Sequence, residues 1–316
     1  MEVCVCPIQD FLNSRTNKLQ DEASREATRR QHEVTDRLRN DLKDKRLVLI
    51  TGAGVTLSAT ADSSGQALPR ITWTGLIRNG LDYLVQEGRV DRSNRRTRRA
   101  YGALDEQDMD SLLDAASILR SQLDHNGLFP TWLESEFGSL YFLVRNTALL
   151  DAIKELHEHG VMLLTTNYDD LLERHCDIPR IGRSNRDNIF KFRRRDLDGV
   201  FHIHGSYHDP HEVVLDTTDY YQVQHSDGVQ DMLRAFLNDK IILFVGCESG
   251  LEDPNFDRLL HWASDQHKNI PNRHCLLVRD GDNTNYKPLV RLKYGPSYDD
   301  LAPWLLKLIY GEEMSQ

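Results

Sequence analysis

From Leu47 onward the chain alternates between short unbroken apolar runs and longer stretches where apolar residues recur every three or four positions. The unbroken runs are LVLIT (47–51), VMLLTT (161–166), VFHIH (200–204), IILFVG (241–246) and HCLLV (274–278). Runs this short, without polar alternation, predict strands covered on both faces, as in a parallel sheet. The intervening stretches predict amphipathic helices. Trp73, Leu76, Ile77, Gly80, Leu81, Leu84 and Val85 share one helical face, and so do Leu112, Leu113, Ala116 and Leu119. DPNFDRLLHWASDQ (253–266) opens with Asp and Pro, an ordinary helix entrance. Alternation of this kind predicts an α/β fold with a doubly wound, mostly parallel, Rossmann-like sheet. Residues 88–145 carry helical patterning alone, which predicts a helical insertion lobe over the carboxyl edge of the sheet.

Ahead of Leu47 the pattern is thin. Residues 1–40 are polar and helix-forming, with Leu12, Leu19, Ala23, Ala27, Val34 and Leu38 as sparse apolar points. That stripe is too thin for a buried helix. It predicts an N-terminal extension, partly disordered or packed on a partner or a second copy of the chain. The expected division is an extension over 1–40 and a nucleotide-binding domain over 41–312.

The 316 residues are 39% hydrophobic and 28% charged, an ordinary globular composition that allows a substantial core. No window approaches the ~18 apolar residues of a membrane span, so no membrane partner is expected. The opening MEVCVCPIQDF lacks a basic region followed by an apolar run, so no secretory signal is expected. Five scattered cysteines without a C-x-x-C pair resemble neither a disulfide framework nor a cysteine zinc site, and fit a reducing, cytoplasmic setting. A net charge of −10 argues against nucleic acid as a general partner. RSNRRTRRA (92–100), with five arginines, is the local exception; it reads first as a solvated helix face, second as a patch for phosphate or an acidic partner.

Ligands of open α/β sheets bind beyond the carboxyl ends of the strands, and three strand ends here carry unusual polar residues. The first run leads into Gly52-Ala53-Gly54-Val55-Thr56, where small residues let phosphate approach backbone N–H groups, or simply make a tight turn. The second leads into Thr165-Thr166-Asn167-Tyr168-Asp169, where an Asn or Asp could serve only as a helix cap. The third is FHIHGSYHDPH (201–211). In a strand His202 and His204 would share a face, as in metal hydrolases with H-x-H. Ser206 and Tyr207 stand where one such group needs Asp and His, and His208-Asp209-Pro210-His211 reads as a polar turn, so no metal is expected.

Taken in order, G-A-G-V-T (52–56), T-T-N-Y-D (165–169), H-G (204–205) and F-V-G-C-E-S followed by D-P-N-F (244–256) resemble the sirtuin-like superfamily. They are more similar to its divergent NAD-cleaving, defence-effector branch than to its protein deacylases. The resemblance spans about residues 41–300. It departs at Thr56, where Ser is usual, at Cys247-Glu248 in place of Thr-Ser, and in lacking the four-cysteine zinc ribbon of the deacylases.

The resemblance implies an NAD+ glycohydrolase giving ADP-ribose and nicotinamide, with the expected role of an immune or toxic effector that drains NAD. Asn167 would hold the ribose and orient water, and His204 would be the base. Asp169 would seat the carboxamide. Gly52, Ala53, Gly54 and Thr56 would line the pyrophosphate, and Gly246 and Ser249 would approach the adenosine ribose. His202 reads as a support or core histidine. NAD is the expected small-molecule partner, with homo-oligomers formed through the extension or the insertion. Alternatives are a protein deacylase or ADP-ribosyltransferase, a silent NAD- or ADP-ribose-binding module, and a chelator-sensitive metal hydrolase.

Overall fold

Five apolar runs and two weaker segments form seven parallel strands: β1 (Leu47–Thr51), β2 (Met162–Thr165), β3 (Arg180–Ile181), β4 (Val200–His202), β5 (Ile241–Val245), β6 (Cys275–Val278) and β7 (Val290–Lys293). The computed structural model describes residues 7–62, 66, 68–106, 108–247, 259–261, 273–282 and 288–311. The sheet order is β3-β4-β2-β1-β5-β6-β7. All five residues of β1 are buried. Leu47 and Leu49 enter one core, Val48 and Ile50 the other, and this two-sided burial is why the run has no polar alternation. β1 lies between β2 and β5, so the chain winds outward both ways from there. The ends of β1, β2 and β5 therefore border the crevice where such sheets bind ligands.

The helices are α1 (Pro7–Lys43), α2 (Ala53–Thr60), α3 (Trp73–Gln86), α4 (Arg95–Glu106), α5 (Met109–His125), α6 (Phe129–Phe137), α7 (Ala148–Glu158), α8 (Leu171–Cys176), α9 (Arg186–Arg194), α10 (Thr217–Gln224), α11 (Asp227–Asp239) and α12 (Leu301–Tyr310). One expectation is corrected at the start of the chain. The boundary at residue 40 falls inside α1, and Val34 and Leu38, read as points on a stripe too thin to bury, are core residues. The Gln31 side-chain amide donates to the Lys293 carbonyl (2.8 Å) and Arg39 to the Lys307 carbonyl (3.1 Å), tying this part of α1 to β7 and α12. Upstream, Arg25 to Arg30 are exposed. In the last turns of α1, Val34, Leu38 and Leu42 bury the stripe against the rest of the molecule.

Residues 88–145 hold α4, α5, α6 and a 3₁₀ turn over Leu140–Leu143. The lobe begins earlier than the pattern suggested, because α3 packs into it: a Cβ at Gly80 would lie 2.7 Å from the Leu119 side chain and 3.0 Å from Trp132. Arg120 links the lobe to α10. Its guanidinium sits 3.8 Å over the Phe129 ring and donates to Asp124 (2.8 Å) and, on α10, to Asp219 (3.1 Å). Within the basic run, Arg99 makes a two-pronged bond to Asp114, Arg96 reaches Ser121 and Arg92 lies over Tyr101, as expected of a solvated helix face. Two strands had no readable pattern: β3 has only two residues, and β7 reads VRLK with one buried position. The helix expected over 253–266 lies outside the described residues except at 259–261, which are helical. Among the described residues no helix is long and apolar enough to cross a membrane, and Cys176, Cys247 and Cys275 are buried thiols.

Candidate active site

The first strand end is a seam of glycines. Gly52 donates its N–H to the Val245 carbonyl (3.0 Å) and Gly54 to the Gly246 carbonyl (2.9 Å), so the β1–α2 turn is laced to the end of β5. A Cβ on Gly52 would stand 2.6 Å from the Gly246 oxygen, and one on Gly54 would stand 2.7 Å from the Gly246 Cα. Gly246 has φ +67, in the left-handed region that favours glycine. Close backbone contact thus demands these glycines. Two of their N–H groups are spent on the end of β5, and Gly52, Ala53, Gly54 and Gly246 give this edge of the site almost no side chains.

At the end of β2 the chain turns outward and re-enters as α8. Asn167 donates its side-chain amide to the Gly52 carbonyl (3.1 Å) and to the Thr56 hydroxyl (3.0 Å). A backbone carbonyl can only accept, so the amide nitrogen faces inward and the amide oxygen remains the acceptor for a ligand. The Thr56 hydroxyl passes its own hydrogen to Asp169 (2.7 Å). Thr56 is buried and stands behind the cavity wall, whereas Asn167 and Asp169 line it. Asp169 also accepts from the Leu171 N–H, fixing the first turn of α8. Burial raises its carboxyl to about 6, opposed by the bonds from Thr56 and Leu171.

The four histidines of 201–211 go to four places. β4 ends at His202, so His202 and His204 do not share a strand face. His202 is fully buried beside Glu173 on α8. His204 lines the cavity, and the Tyr220 ring stands edge-on to it at 5.7 Å. Gly205 follows with φ +78, and a Cβ there would come within 2.2 Å of the Glu212 carbonyl oxygen, so the H-G pair needs its glycine. His208 bonds Asp170 (2.9 Å), which also accepts from Tyr207 (2.9 Å) and Arg174 (2.9 Å). Burial alone would raise the Asp170 carboxyl, but these three donors outweigh it and lower it. His211 is exposed. Among the described residues no group of three or more His, Cys, Asp or Glu is gathered as a metal would require.

These strand ends open onto one cavity of about 1100 Å³. Gly52, Ala53, Gly54, Asn167, Asp169, His204 and Gly246 all line it; Ser249 lies outside the described residues. The lobe supplies Trp73, Met109 and Phe137 to the wall, and α10 supplies Tyr220, whose ring meets Trp73 edge-on at 6.5 Å. Sequence reasoning did not assign these four. Trp73 had been counted as part of a helical core stripe, and Tyr220 belongs to no motif; an aromatic at the first position of a helix was the one available signal. Arg145, at the rim, was also missed.

Residues 161–298 match the family model of the SIR2-like domain. The matched segment runs from β2 to β7 and includes the Asn167 loop, the histidine turn and the end of β5, while the Gly52–Thr56 block precedes it. The match supports the sirtuin-like superfamily, and with it NAD-related chemistry, since SIR2-like domains bind NAD.

Proposed function

We propose that this chain is an NAD+ glycohydrolase. The observation that carries the reading is the meeting of Asn167 and His204, from adjacent strand ends, in one cavity with the glycine seam. At about 1100 Å³ the cavity stands at the upper end of small-ligand sites, which suits an extended dinucleotide. The glycine seam offers a surface without side chains along the pyrophosphate. The buried polar cluster and aromatic wall at the other end suit the nicotinamide ribose.

In this reading the bond between nicotinamide and C1′ of the ribose breaks, and its electron pair leaves with the nicotinamide nitrogen. Positive charge develops on the ribose, as in other glycosidic cleavages. The Asn167 amide oxygen accepts from a ribose hydroxyl or from water and holds it against C1′. Thr56 and Gly52 keep the amide from rotating. Water adds to C1′ and its proton passes to the His204 imidazole, yielding ADP-ribose. Asp169 sits behind Asn167 through Thr56 and lines the cavity beside it; in this reading its carboxyl meets the carboxamide. By the resemblance above, the activity would serve an effector that drains NAD, assembled as a homo-oligomer.

The test is incubation of the purified protein with NAD+, with and without EDTA, resolving nicotinamide, ADP-ribose and cyclic product by HPLC. Stoichiometric, chelator-insensitive release of nicotinamide and ADP-ribose is expected. Labelled protein in place of free ADP-ribose would make the chain a transferase instead.

A further inference from the structure

We propose that Glu173 and His202 form a buried positioning pair that holds the Asn167 loop and the His204–Gly205 turn in register with each other. His202 is the last residue of β4 and is 0% exposed; Glu173, on α8, is 9% exposed. The His202 Nδ1 lies 3.0 Å from the Asn167 carbonyl oxygen and 3.2 Å from that of Gly205. Both oxygens can only accept, so Nδ1 carries hydrogen and is shared between them. One ring therefore fastens the backbone of the residue that would hold the ribose to the residue following the proposed base.

A ring held at one end could swing. The other end, Nε2, meets a carboxylate oxygen of Glu173. A single proton lies between these groups: on the ring it makes an imidazolium–carboxylate pair, on the carboxyl a neutral pair. The total charge is zero in either case, which suits a site sealed from water. Burial pulls the His202 imidazole toward its neutral form, but the charge and hydrogen bond of Glu173 prevail and raise its affinity for a proton. Asp169, on the loop being held, is the other acidic group facing the ring. The second oxygen of Glu173 is buried with no hydrogen-bond partner among the described residues. Buried pairs contribute weakly to stability, and an apolar pair of the same volume would serve as well or better. Keeping this one is explained by orientation: a carboxylate behind a histidine fixes its tautomer and ring plane. Neither side chain lines the cavity, so both act through the backbone segments they hold.

The kinetic part of the test rests on the glycohydrolase reading; the exchange part does not. Wild type, Glu173→Gln and Glu173→Leu are compared for kcat and KM with NAD+ and for amide hydrogen exchange. Gln can still bond Nε2 of a neutral ring, whereas Leu cannot. Glu173→Leu is expected to lower kcat by ~10- to 100-fold, the usual cost of losing an outer supporting partner, with KM little changed. Its exchange accelerates at 166–170 and 203–206 while β1 and β5 keep their protection. Glu173→Gln stays near wild type in both readouts. The proposal is overturned by wild-type kcat and exchange in Glu173→Leu, by acceleration spread over the whole sheet, or by equal losses in the Gln and Leu variants. If Glu173→Leu does not fold, His202→Gln, which cannot bridge the two carbonyls rigidly, takes its place; loop-confined acceleration is expected, and unchanged protection overturns the pair. Absence of turnover in the wild type would remove the glycohydrolase reading, and the exchange pattern alone would then decide the positioning pair.

Discussion

On the β1–β5 side of the cavity floor, main chain meets main chain: Gly52 and Gly54 donate to carbonyls of β5, and the surface offered to a ligand is almost free of side chains. On the β2–β4 side the backbone segments are held apart and joined by side chains, through Asn167, Thr56 and Asp169 in one relay and His202 and Glu173 in another. The first side is intolerant of added volume and has little chemistry. The second has the groups that can move protons and orient water, and Asn167 and Asp169 are each fixed by a named partner. Substitutions should therefore separate: on the glycine side they should act first on stability, while at Asn167 and His204 they should act on the reaction.

The largest effect is expected at Gly246. Gly246→Ala combines a left-handed φ with a Cβ 2.8 Å from the Val55 nitrogen, and strain and overpacking together should cost about 4–5 kcal/mol, read as a large fall in Tm. Asn167→Ala and His204→Ala should leave Tm within a few degrees of wild type; His204→Ala should lower NAD+ cleavage by ~10²- to 10⁴-fold, the usual cost of losing a general base. An active, folded His204→Ala would break the comparison, because the polar side would then carry no chemistry.

A third effect follows from Asp169, whose folded carboxyl titrates at about 6 against an ordinary 3.8. Between those values the folded chain holds a proton that the unfolded chain has released. The stability due to this group is thus fully present below about pH 4, falls as pH rises toward 6 and is flat above. The wild-type minus Asp169→Asn stability should drop by about 3 kcal/mol across that window. Denaturant titrations at pH 4, 5, 6 and 7 measure it, and a flat difference would show that burial does not shift the carboxyl.

The smallest effect sharpens the role of the lobe. Arg120→Ala removes the contact over Phe129 and the bond to Asp219, and should cost about 1–3 kcal/mol in denaturant melts. Since Asp219 completes the capping box that Asp216 opens on α10, the helix that carries Tyr220, a rise in KM for NAD+ should accompany it.

Much of the frame was legible because burial on both faces leaves an unmistakable trace: LVLIT became a strand over the same five residues, and Trp73 to Val85 lie within α3. The positions of Asn167 and His204 at strand ends could be read because each follows an apolar run directly. The finer wiring could not. Asn167 could equally have been a cap, and only the contact with Gly52 and Thr56, more than a hundred residues away in sequence, sets its amide. The glycines were readable as small residues at a turn, but not as a seam against β5, since their neighbour lies in a distant strand. Glu173 sat unnoticed in a helix because nothing local distinguishes a buried carboxylate from a solvated one. Val34 and Leu38 were underrated for the same reason: their burial depends on α12, near the other end of the chain.

Whether the polar side of the cavity carries the reaction is decided by NAD+ turnover of wild type, Asn167→Ala and His204→Ala at equal concentration, with melting curves of the same samples. The account predicts nicotinamide and ADP-ribose from wild type, loss of both products in each variant, and closely similar melting. Turnover retained in either folded variant would contradict it.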